Sequence, residues 1–256
     1  MKSIQSLLLT AATAASCVSA IHLAPASFVP LTDTFNTNTL GNANINTNLL
    51  TQQQRPLGGG PTDVKVPVQL GVMSKCPDAL LCERRFTEVL ERVSDKVDLS
   101  LIYVGKIDAS EPDFGVWCMH GPGECAGNVQ QLCVAKYTPF PNFWEFVSCQ
   151  NYQGRENVGE PDVALKCAET AGIDWEAGGA GECAGLDGSG KGEEGIQLLQ
   201  ESVKLGHEFG ITKSCTVLIS GKVVCVHDGT WKDCENGHTT GDFVRQIEEE
   251  YTRLNQ

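Results

Sequence analysis

Cys76 stands where a thiol can react. It follows an apolar, β-branched run at residues 64–73, which predicts a strand. It precedes residues 79–97, where Cys82, Phe86, Val89, Leu90 and Val93 recur at helical spacing. A helix N-terminus carries partial positive charge and favours thiolate over thiol, and the thiolate is the form that attacks a disulfide. Pro77 suits a first helical turn, because it has no N–H to leave unpaired. A second thiol follows in the run Cys76-Pro77-Asp78-Ala79-Leu80-Leu81-Cys82. Cys76 and Cys82 are therefore the expected catalytic couple for thiol–disulfide exchange, the first attacking and the second resolving.

The spacing sets a condition on that couple. Six steps along a continuous helix rise about 9 Å, whereas the Cα atoms of a disulfide seldom lie beyond about 7 Å. A helix beginning at Pro77 keeps the two sulfurs apart. Pairing requires a loop through Asp78, with Asp78 as the N-cap of a helix that begins near Ala79.

The elements around these residues follow from periodicity. Residues 99–104 read as a second strand, so strand, helix and strand predict a right-handed crossover and a parallel pair. Residues 115 to about 210 differ, with six cysteines and several Gly-rich turns. Within them, 193–209 reads as a helix ended by Gly210. Residues 216–219 and 222–226 flank Ser220-Gly221, a hairpin signal. Residues 239–254 read as a helix, with Thr239 and Asp242 spaced as a capping box and Phe243, Ile247, Tyr251 and Leu254 on one face. The prediction is an α/β domain over 63–256. It has a thioredoxin-like core and a helical, cysteine-rich insertion between the second and third strands.

The run Cys118-Met119-His120-Gly121-Pro122-Gly123-Glu124-Cys125-Ala126-Gly127-Asn128-Val129-Gln130-Gln131-Leu132-Cys133 fits the pattern C-x-H-G-x-x-E-C-x-x-N-x-x-x-x-C. Val147-Ser148-Cys149, Lys166-Cys167-Ala168, Gly172-Ile173-Asp174-Trp175 and Glu182-Cys183-Ala184 follow it. On these residues the chain, from 64 to about 250, resembles the gamma-interferon-inducible lysosomal thiol reductases. The resemblance implies enzymes that reduce protein disulfides in acidic compartments, using two cysteines and no cofactor. Cys118, Cys125, Cys133, Cys149, Cys167 and Cys183 are expected to form three structural bridges, and six cysteines allow fifteen pairings. His120 and Glu124 read as structural parts of their turn.

Two departures from the family stand out. Its working cysteines are separated by two residues, and here five intervene. Thioredoxin-like cores normally carry a cis-proline before the third strand, where this chain has Ser214-Cys215. A cis bond without proline costs about 3 kcal/mol, so a trans peptide is expected. Cys215 would bring a third sulfur toward Cys76, which makes it a third catalytic candidate. Alternatively it bridges Cys225 across the hairpin. Cys225 and Cys234, both expected to be structural, could also pair with each other.

Residues 1–20 read as a secretory signal, and residues 21–62 as an Asn/Thr/Gln-rich linker closed by Gly58-Gly59-Gly60-Pro61. A signal and 12 cysteines point outside the cytosol, to secretion or a lysosome- or vacuole-like lumen, where thiols are mostly oxidised. Cys17 would leave with the signal, and the odd number remaining leaves at least one cysteine outside the intramolecular bridges. A net charge of -13 without clustered Lys and Arg argues against a nucleic-acid partner. No run suits a membrane span, and no Asn-x-Ser/Thr sequon occurs. The Cys and His spacings are not of the zinc kind, so neither metal nor cofactor is expected. The expected partners are proteins or peptides that contain disulfides. The competing reading is a secreted, non-catalytic, disulfide-stapled binding or structural module on the same fold.

Overall fold

The computed structural model describes residues 63–256, and the signal and linker readings at 1–62 lie outside the described residues. Alternating apolar residues build β1 (Val66–Val72), whose Val66, Val68, Leu70 and Val72 are buried. After a short turn comes α1 (Pro77–Val93), which lays Ala79, Cys82, Phe86, Val89 and Val93 into the core. β2 (Val97–Tyr103) runs parallel to β1 along its whole length. A small ribbon, β3 (Lys106–Ile107) and β4 (Val116–Trp117), leads into the insertion. This comprises α2 (Pro122–Tyr137), α3 (Phe140–Tyr152), α4 (Pro161–Thr170), α5 (Ala180–Ala184) and α6 (Glu193–Glu208). The core resumes with β5 (Thr216–Ile219), β6 (Lys222–Asp228), β7 (Thr230–Lys232) and α7 (Thr240–Leu254).

The main sheet has the order β2-β1-β5-β6-β7, with β5 antiparallel to β1. This is the thioredoxin-like core with its helical insertion between the second and third strands, as the element order predicts. Ser220 and Gly221 both take positive φ, 49° and 75°, which makes the tight β5–β6 turn that matches strand twist. Thr239 and Asp242 form the capping box at the head of α7. On one face of the sheet α1 and α7 pack together through Phe86 and Phe243, whose ring centres lie 5.1 Å apart. On the other, Ile102, Ile211 and Leu218 form a smaller cluster. Gly71 leaves room for it, since a Cβ there would meet Ile211 at 2.4 Å. Beyond α7, Asn255 accepts a hydrogen bond from the Val64 N–H at 2.7 Å and donates to the Val64 carbonyl at 3.0 Å.

Candidate active site

The helix begins two residues earlier than the start near Ala79 that a Cys76–Cys82 pairing requires. Cys76, not Asp78, is the N-cap of α1, with φ -79° and ψ 130° and with Pro77 at the first helical position. Pro77 fixes that start, because its ring pre-sets helical φ and its missing N–H leaves nothing unsatisfied. Cys76 is 7% exposed, and its thiol donates to the Ser214 carbonyl at 3.6 Å. The Ser214 hydroxyl oxygen in turn accepts from the Met73 N–H at 2.9 Å, which ties the two loops together.

With α1 continuous from Pro77, the expected Cys76–Cys82 pairing is replaced by another. Cys82 is bonded to Cys215, with Cα atoms 6.2 Å apart, and both are fully buried. Helical rise carries Cys82 away from Cys76 and turns it onto the buried stripe, where it meets the loop entering β5. Cys76 is the one unpaired cysteine among the described residues. The Ser214–Cys215 peptide is cis, where the sequence reading expects trans. Its surroundings hold it on both sides. Cys215 and His227 exchange backbone hydrogen bonds of 3.0 and 2.9 Å across the hairpin, and the disulfide fixes the side chain.

A second contact runs beside that disulfide. Asp78 and Cys82 lie four residues apart on one face of α1, and they meet Cys215 and His227, which face each other across β5 and β6. Asp78 Oδ1 contacts His227 Nδ1 at 2.6 Å and accepts from the Gly229 N–H at 3.0 Å. The head of α1 is thus fastened to the sheet at two points, one covalent and one polar.

The insertion braces the same head from the other side. Buried Glu124 accepts from the Lys75 N–H at 3.3 Å and the His120 N–H at 3.2 Å, and pairs with the His120 ring. Asn128 accepts from the Ser74 N–H at 3.1 Å, while the Ser74 hydroxyl donates to the Glu124 carbonyl at 3.2 Å. Gly127 permits this approach, because a Cβ there would lie 2.8 Å from Ser74 Oγ. The Glu and Asn of the Cys118–Cys133 run therefore hold the two residues that precede Cys76, and the His holds the Glu.

A groove of about 560 Å³ lies between α1 and α3, lined among others by Pro77, Leu80, Leu81, Glu83, Asn151 and Tyr152. Glu83 is fully buried. Burial pushes its carboxyl up from the ordinary 4.5 to about 7, against a lowering hydrogen bond from Asn151 Nδ2 at 2.6 Å. Glu83 Oε1 and Asn151 Oδ1 are both buried without a hydrogen-bond partner. Sequence reading passed over Glu83, since a lone Glu beside Cys82 carries no motif.

The other cysteines are bonded as Cys118–Cys125, Cys133–Cys183, Cys149–Cys167 and Cys225–Cys234. The alternative Cys215–Cys225 bridge is not formed. Among the described residues, no cluster of three or more His, Cys, Asp or Glu could hold a metal ion, and no helix is long and apolar enough to cross a membrane.

Residues 67–171 match the family model described as gamma interferon inducible lysosomal thiol reductase (GILT). No curated protein matches the chain. Among solved structures, a putative protein disulfide isomerase from Nitrosomonas europaea is similar at 11% identity and a TM-score of 0.50, over 75% of this chain and 100% of that one. MdbA, a thiol-disulfide oxidoreductase from Corynebacterium diphtheriae, aligns at 15% identity and a TM-score of 0.49, over 72% of this chain and 83% of its own. The first of these shows the fold. The family match spans Cys76, Cys82 and the whole Cys118–Cys133 run, so residues 67–171 are similar to the gamma interferon inducible lysosomal thiol reductases, and the general kind this supports is thiol-disulfide oxidoreductase.

Proposed function

We propose that the protein reduces disulfides in proteins or peptides, within an oxidising compartment reached by the secretory route, and that Cys76 is its attacking thiol. The observation that carries this reading is the placement of Cys76: unpaired, capping α1 ahead of Pro77, with its sulfur against the Ser214 carbonyl. The thiolate attacks one sulfur of the substrate disulfide, forms a mixed disulfide, and releases the other sulfur as a thiol. Glu124 and Asn128 act as positioning residues, holding the turn at Ser74 and Lys75 so that the sulfur keeps its place. The groove lined by Pro77, Leu80 and Leu81, on the helix that Cys76 caps, offers the substrate chain an apolar wall.

The test is reduction of insulin or a fluorescent peptide disulfide, at neutral and acidic pH, with a small thiol as the recycling reductant. Turnover above the small thiol alone, absent in Cys76→Ser, is the expected result. Wild-type protein without such turnover would overturn the reading and favour the disulfide-stapled binding module.

A further inference from the structure

We propose that the Cys82–Cys215 disulfide is an internal two-electron store that communicates with the outside only through Cys76, with Cys215 as the resolving thiol. The proposal rests on the reading of Cys76 as the attacking residue. Three observations support it. Cys82 and Cys215 are 0% exposed whereas Cys76 is 7% exposed, so an external thiol or disulfide reaches Cys76 first. The Cys76 sulfur sits 3.6 Å from the Ser214 carbonyl, and that carbonyl carbon is bonded to the nitrogen of Cys215. Cys82, by contrast, stands six helical steps beyond Cys76, a rise of about 9 Å. Of the two bonded cysteines, Cys215 is the one whose chain neighbour touches the Cys76 sulfur.

The sequence of exchanges closes on itself. In the fully reduced protein the Cys76 thiolate attacks a substrate disulfide, forming a Cys76–substrate bond and expelling one substrate thiol. Cys215 then attacks the Cys76 sulfur, forming Cys76–Cys215 and expelling the second substrate thiol. Cys82 next attacks the Cys215 sulfur, forming Cys82–Cys215 and releasing Cys76 as a thiolate. The substrate has gained two electrons and two protons, and Cys82 and Cys215 have lost them. The product state is the one observed, a free Cys76 beside a Cys82–Cys215 bond. Recharging runs the exchanges backward. Cys76 opens the internal bond, one small external thiol takes the Cys76 sulfur and frees Cys215, and a second removes it as a small-molecule disulfide.

The relay differs from a static bridge in one measurable rate. Oxidised full-length wild type and Cys76→Ser are treated with glutathione under native conditions, alkylated at intervals, and scored by mass spectrometry for Cys82 and Cys215. Wild type should lose the bond at least ~10-fold faster than Cys76→Ser. Equal rates would make the bridge structural and overturn the proposal. A second arm uses Cys82→Ser treated with a peptide disulfide. The expected product is a Cys76–Cys215 cross-link, and a lasting Cys76–peptide adduct beside a free Cys215 thiol would count against the relay. Peptide reduction by wild type is followed in parallel. Equal glutathione rates with persistent peptide turnover reject the relay alone, whereas a Cys76-dependent glutathione rate without peptide turnover rejects the substrate reading alone.

Discussion

The helical insertion holds three disulfides, Cys118–Cys125, Cys133–Cys183 and Cys149–Cys167, and no thiol. The edge of the core around α1 holds one disulfide and, next to it in the fold, one thiol. Burial does not separate the two regions, for Cys133, Cys167 and Cys183 are as deeply buried as Cys82 and Cys215. What separates them is a neighbouring nucleophile. A disulfide exchanges only when a thiolate can approach it, and in the insertion no such group exists among the described residues. On the proposed relay, the same bond is a staple in one place and exchangeable in the other because of one unpaired sulfur, and the insertion's further contribution is the Glu124–Asn128 brace behind that sulfur.

The largest effect that would break this contrast is loss of Cys76. Cys76→Ser should lower peptide-disulfide reduction by at least about a hundredfold while leaving the denaturation midpoint unchanged. Retained turnover would put the reactive sulfur elsewhere. The complementary change, Cys133→Ala with Cys183→Ala, should leave the glutathione-exchange rate of Cys82–Cys215 unchanged. It should cost about 4 kcal/mol of stability in denaturant titration, because the bridge closes a loop of 50 residues between α2 and α5.

Next in size is a pH effect. Folded Glu83 holds its proton up to about 7, while in the unfolded chain it releases it near 4.5. Between these values the folded state binds more protons than the unfolded one, so stability falls as pH rises from 4.5 to 7, and this contribution is level outside the window. Its magnitude is about 3 kcal/mol, and Glu83→Gln should flatten the slope in denaturation curves taken across that range. The smallest effect belongs to the brace. Asn128→Ala should slow peptide reduction by about tenfold, or about 1.4 kcal/mol in the barrier, with kcat affected more than KM. An equal loss in binding would mean that Asn128 touches substrate.

Much of this was legible beforehand. The parallel β1–β2 pair, the Ser220-Gly221 turn and the Thr239 capping box each follow from local spacing. So does the place of Cys76 at the head of α1, which needs only a strand followed by a helix. The partner of Cys82 was not legible, because it depended on where α1 starts, and Pro77 and Asp78 both offer a sound start in sequence. The Asp78–His227 contact was hidden by a β-bulge. In an unbroken β5–β6 register, Ile219 opposite Lys222 places Cys215 opposite Val226. The irregularity between Val217 and Leu218 shifts the count by one, and His227 comes to face Cys215 instead. A shift of one residue exchanges the two faces of a strand. Here it turns an imidazole toward the head of α1, and no periodicity announces it.

The two hydrogen bonds between Asn255 and Val64 have a practical reach of their own. They gather both ends of the folded domain at the start of β1, whereas Cys76 follows the far end of that strand. Seven residues of extended chain separate these places, a span of about 20 Å. A carrier protein, affinity tag or surface anchor joined at either end is therefore held at the rim opposite the thiol. Large substrates can approach without meeting the attachment, and immobilisation directly at Val64 or Asn255 leaves the rim of Cys76 facing outward.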